Sequence, residues 1–159
     1  MNKNKVSVIL GIIAFTVLFS LGGFAVGKNI DNKENAVDAS KISNIASIKI
    51  VDKMSVPEMG TRYTLTLKNT SIYNIKQNSV YISYPIINGN GLSMNNCKVE
   101  ATGNKLDIKP NEEVTLFAFI PLENYKENES LDINRPQYEL KGYFNEVIPI
   151  NHFEQGGEF

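Results

Sequence analysis

The heptapeptide Arg62-Tyr63-Thr64-Leu65-Thr66-Leu67-Lys68 alternates strictly between apolar and polar side chains. Successive side chains of a β-strand point to opposite faces, so Tyr63, Leu65 and Leu67 share a core face while Arg62, Thr64, Thr66 and Lys68 face water. A helix would scatter the same residues around its circumference. The run stops at Asn69-Thr70-Ser71, whose short polar side chains bond their own backbone and favour a turn.

Working outward, similar short runs recur. Residues 80–84 (VYISY) are rich in β-branched and aromatic side chains and end at Pro85, a residue that cannot donate to a ladder. Asn88-Gly89-Asn90-Gly91 is a turn signal. Cys97 to Ala101 alternates again, Leu106 and Ile108 mark a short strand, and Pro110-Asn111-Glu112 turns the chain into residues 114–120 (VTLFAFI). Residues 138–144 (YELKGYF) close the set, with Val147 to Ile150 as an extension, and residues 45–51 open it. About seven short strands, punctuated by Gly, Pro and Asn and with no amphipathic helix between them, predict a mostly β fold. An immunoglobulin-like antiparallel β-sandwich over residues 42–150 is the expected form. Residues 151–159 are expected as a C-terminal tail.

Upstream the chain is of another kind. Residues 6–27 (VSVILGIIAFTVLFSLGGFAVG) hold no charged side chain, and 15 of these 22 are apolar. As a helix they would span about 33 Å, the thickness of a bilayer's hydrocarbon core. Lys3 and Lys5 in the n-region 1–5 favour a cytoplasmic N-terminus and a C-terminal domain outside. The expectation is one transmembrane signal anchor in the lipid bilayer. The alternative is a secreted protein released by cleavage after Gly27, where Ala25 and Gly27 supply the small residues a signal peptidase needs. No Cys stands directly after the run, so there is no lipobox and a lipoprotein is excluded. Gly23 and Gly27 form a small-xxx-small pair, as do Ser7 and Gly11; such pairs let membrane helices approach closely. Residues 28–41 are polar, without a sustained period, and read as a linker.

The segment from Leu65 to Leu122 resembles the FxLYD-type and related immunoglobulin-like modules of extracytoplasmic proteins of Gram-positive bacteria. The residues that carry the resemblance are Lys68-Asn69-Thr70-Ser71, the aromatic strand to Tyr84, the turn Asn88 to Gly91, and Pro110-Asn111-Glu112 before Phe117 and Phe119. Asn111 and Tyr84-Pro85 depart from that pattern. The resemblance implies a sandwich module outside the cell and no catalytic residues. About a third of the chain is Asn, Ile and Lys, as AT-rich genomes encode.

The composition excludes several chemistries. Sixteen basic against 17 acidic residues argue against nucleic-acid binding. One Cys and one His cannot form a disulfide or a Cys/His zinc site. No cofactor is expected. His152 falls in the tail, and Cys97 is expected as a buried small apolar residue. An envelope enzyme using carboxylates such as Glu100, Glu112 or Glu113 is the remote alternative to a non-enzymatic module. Asn69-Thr70-Ser71 and Asn128-Glu129-Ser130 match the N-glycosylation pattern, as expected by chance. A candidate interaction patch stands out instead. Residues 114–120 are apolar on both faces, yet a sandwich strand buries one. With Val114, Leu116, Ala118 and Ile120 inward, Phe117 and Phe119 point out and, with Tyr125, could meet a protein partner. The competing expectation is that the linker, or the loop 123–135 with Tyr125, covers them.

Overall fold

The computed structural model describes Val37, Ile42 and residues 44–159 apart from Asn90 and Met94. Residues 6–27, with Gly23 and Gly27, lie outside the described residues. Among the described residues no helix is long and apolar enough to cross a membrane.

The structure is mostly β and its sheets are antiparallel. One sheet has the order β1-β2-β8, from Ala46–Val56, Gly60–Asn69 and Glu113–Pro121. The other has the order β10-β9-β3-β6, from His152–Glu158, Gln137–Phe144, Ile75–Ser83 and Val99–Glu100, with β7 (Asp107–Ile108) also paired to β3. A small hairpin, β4 (Ile86–Asn88) and β5 (Gly91–Ser93), flanks the expected Asn-Gly turn. Each of the seven expected runs overlaps a strand, though Cys97, Leu106 and Tyr84 fall outside theirs; β4, β5 and β10 are additional.

Alternation explains the core. Tyr63, Leu65 and Leu67 of β2 and Leu116, Ala118 and Ile120 of β8 are buried from one side. Ile75, Val80, Ile82, Leu140, Phe144 and Phe153 from the second sheet join the same apolar cluster. Two inner faces thus share one core, consistent with a β-sandwich.

The sheets are also tied at their edges. At one edge the chain after β6 changes sheets. Ala101 still donates to the Val80 carbonyl (2.8 Å), whereas Thr102 exchanges both backbone bonds with Phe117 of β8 (2.7 and 2.9 Å). Gly103, at φ +92°, permits this approach; a Cβ there would lie 3.0 Å from the Thr115 carbonyl oxygen. At the opposite edge a side chain does the same work. The buried Gln155 amide accepts from the Ala46 N–H (3.1 Å) and donates to the Ala46 carbonyl (2.8 Å), joining β10 to β1. Gln155→Ala leaves both backbone groups of a buried residue unpaired, so a loss of about 2–4 kcal/mol is expected. A denaturant midpoint equal to the wild type's would refute this.

Three expectations are corrected here. Residues 151–159 are not a tail: seven of them form the edge strand β10, paired with β9 from His152↔Tyr143 to Glu158↔Gln137. His152 is therefore a strand residue, its ring 5.3 Å from that of Tyr143. Val147 to Ile150 does not extend β9, because a 3-10 turn occupies Pro149–Asn151. Cys97 is exposed. Its N–H is held by Asn95 Oδ1 (2.9 Å) in a turn, and β6 begins only at Val99, so the alternation with Ala101 does not reach it.

Candidate interaction surface

The outer face of the first sheet carries the exposed aromatics. Phe117 is 50% and Phe119 37% exposed, beside Thr64 and Arg62 of β2 in register. The Phe117 backbone is paired on both sides, to β2 and to Thr102, which fixes where its ring can stand. Arg62 donates to Met54 Sδ (3.5 Å) across the same face. Beyond Phe119 lies an open depression of about 490 Å³. Its lining includes Met59, Phe119 and Leu122 together with Glu58, Glu123, Glu127 and Lys126. Among the described residues these three glutamates make no ion pair, so an apolar floor carries a net acidic surround.

The 123–135 loop does not hide the pair; of the linker only Val37 is among the described residues. Tyr125 is turned away from it. Its ring packs edge-on against Tyr84 (5.2 Å between centroids), and its hydroxyl bonds Thr61 Oγ1 (3.1 Å). Tyr84 in turn shares a 2.8 Å hydrogen bond with the fully buried Tyr63. Burial first, then that bond, pushes the Tyr63 hydroxyl far above its usual pKa. The triad is a hydrogen-bonded structural cluster, and Tyr125 leaves the patch.

No family model matches the chain. No curated protein matches it either. Among solved structures, the archaellum periplasmic stator protein FlaG from Sulfolobus acidocaldarius aligns with 72% of this chain and 99% of that chain. The identity is 14% and the TM-score 0.35, too low for any argument from the likeness.

The carboxylates named for an enzyme do not converge. Glu112 accepts from Lys105 Nζ and from the Lys109 N–H (2.9 Å), which closes the Pro110 turn. These bonds, the lysine's first, hold its carboxyl below the usual range, away from what a general acid needs. Glu113 stands opposite Lys68 on the first sheet, and Glu100 opposite Tyr81 on the second. A separate charged row crosses the second sheet, where Lys98 and Lys141 flank Glu139, and Lys141 also reaches Glu154 (3.0 Å). Burial opposes ionisation of Glu139, but the two ammonium groups outweigh it and lower its pKa. Among the described residues no three His, Cys, Asp or Glu are grouped to hold a metal.

Two polar features were not legible in the sequence. Asn69 is fully buried and uses its whole side chain: Nδ2 donates to the carbonyls of Tyr73 (2.8 Å) and Ile108 (2.9 Å). Its Oδ1 accepts from the Ser71 N–H (3.0 Å) and Oγ (2.7 Å). The amide is thus structural and inaccessible as a glycosylation acceptor in the folded state. Around the β3 bulge, Asn78 donates to the Lys105 carbonyl and Asn104 to the Asn78 carbonyl, stitching that bulge to the chain before β7.

Proposed function

We propose that the chain is a single-pass membrane protein that displays an immunoglobulin-like β-sandwich outside the cell as a binding or accessory module of a bacterial envelope. The uncharged run 6–27 supports the anchor. The FxLYD-type resemblance and the Asn-, Ile- and Lys-rich composition support a Gram-positive source. The observation that carries the binding role is the outward pair Phe117 and Phe119 beside an acidic-rimmed depression. Large apolar side chains on a rigid sheet face are costly in water and are recovered when a partner covers them. The acidic surround favours a partner segment with basic residues around an apolar anchor.

A photo-crosslinking side chain at Phe117, in intact cells, is expected to give a discrete protein adduct. Asn134, exposed on the loop before β9, serves as the control position. Equal labelling at both positions would overturn the binding role. In the same cells, full-length protein in carbonate-washed membranes supports the anchor. Ala25 and Gly27 favour one second reading, cleavage and secretion; a mature form beginning at Lys28 in the medium would establish it in the anchor's place.

A further inference from the structure

One end of the sandwich collects the start of β1, the end of β2, the start of β3, the end of β9 and the start of β10. The chain joins the body there. Val37 donates its N–H to Asn151 Oδ1 (3.3 Å), and both Val37 and Ile42 pack on the core. Part of the sequence read as a free linker is therefore docked. Only nine residues, 28–36, lie between Gly27 and Val37, and the ten residue steps reach at most about 36 Å when fully extended.

Two loops form this end, residues 70–74 and 145–151. They are bonded to each other, Asn145 N–H to the Asn74 carbonyl (2.8 Å) and Asn74 N–H to Asn145 Oδ1 (3.0 Å). Their tips carry Ile72, Val147 and Ile150, exposed by 65%, 46% and 61%. Loop tips are ordinarily polar. Here three large aliphatic side chains project from the end where Val37 is docked.

We propose that this end rests on the lipid surface, with Ile72, Val147 and Ile150 inserted among the headgroups; the proposal rests on the reading of residues 6–27 as an anchor. Apolar side chains gain free energy on leaving water for that boundary. The short connection keeps the end at high effective concentration near the bilayer, so a contact too weak to recruit a free domain suffices. Charges of both signs lie at this end, Lys68 and Glu113 paired where β2 ends and β8 begins, and Lys109 and Glu146 on its turns. The contact is therefore apolar rather than electrostatic, and it sets Phe119 and Met59 towards the far end, away from the membrane.

The test uses the full chain in vesicles, with Cys97→Ser and single labelling cysteines introduced as Ile72→Cys, Ile150→Cys or Met59→Cys. An environment-sensitive fluorophore on each is exposed to phosphatidylcholine with brominated acyl chains, with and without phosphatidylglycerol. Quenching at 72 and 150 is expected to exceed that at 59 several-fold, with or without the anionic lipid. Equal quenching at all three positions, or quenching at 72 and 150 only with phosphatidylglycerol, would overturn the seating while co-flotation with vesicles upholds the anchor. Protein that does not co-float overturns the anchor, and the seating with it.

Discussion

Asn69→Asp is expected to lower the stability of the sandwich at neutral pH by about 4 kcal/mol or more, a breaking of a buried network that leaves charge behind. The Asn69 amide nitrogen lies between the carbonyl oxygens of Tyr73 and Ile108. A carboxylate there puts negative charge against two oxygens in a site without solvent, while the two donors from Ser71 hold only its other oxygen. Asn69→Ala separates the causes. It loses the bonds without adding charge, at a cost of about 3 kcal/mol that does not vary with pH. For the aspartate the sign follows from its environment. Burial and facing carbonyls raise its folded-state pKa above the unfolded value, so protonation favours the folded form. The deficit relative to wild type then shrinks as pH falls through the folded pKa towards about 4, the unfolded value. Denaturant titrations of both variants at pH 7 and pH 4.5 check this, and a pH-independent gap for the aspartate would refute it.

Gly60→Ala is expected to cost about 3 kcal/mol or more, by strain rather than by a lost bond. Gly60 follows the β1–β2 turn with φ +149°, and a Cβ there would lie 2.2 Å from the Ile120 carbonyl oxygen and 2.9 Å from the Leu122 nitrogen. Both are backbone atoms, so relief requires β8 to move off β2 at the end where Leu122 N–H bonds the Met59 carbonyl (2.8 Å). The same Cβ would approach the tip of the Phe119 ring to 3.0 Å, so a folded fraction would also carry a displaced patch. Gly89→Ala is the control, since its Cβ would have nothing within 4 Å; it is expected to change stability by less than about 0.5 kcal/mol. Equal thermal midpoints for the two variants would refute the strain argument.

Where alternation was clean, the sequence already displayed the fold. Tyr63, Leu65 and Leu67 and the two-faced strand of Phe117 and Phe119 were legible because period-two burial is a local property. What was missed depended on contacts between distant residues. The start of β3 is disguised by a bulge: between the pairs Lys76↔Tyr143 and Ser79↔Lys141, two residues, Gln77 and Asn78, oppose one, Gly142, so Ile75 and Val80 face inward at an odd spacing. The second half of β1, beyond its own bulge after Ile50, lies largely in solvent on both faces and shows no alternation. In β10 the buried face includes Gln155, a polar residue justified only by Ala46 across the sandwich. Tyr125 could be assigned to the patch or to a covering loop, and only its packing on Tyr84 decides that it does neither.

The antiparallel path from β1 through β2 to β8 has a mechanical consequence. A load that pulls on the chain at Val37 and on a partner held near Phe119 acts at opposite ends of the first sheet, along its strands. The ladder bonds lie perpendicular to the strands. Such a force must shear the whole β1–β2 ladder, which runs from Ala46↔Asn69 to Val56↔Gly60, instead of opening it one pair at a time. A domain hung in this way would hold under tension that would unzip the same strands if it were pulled from a single end.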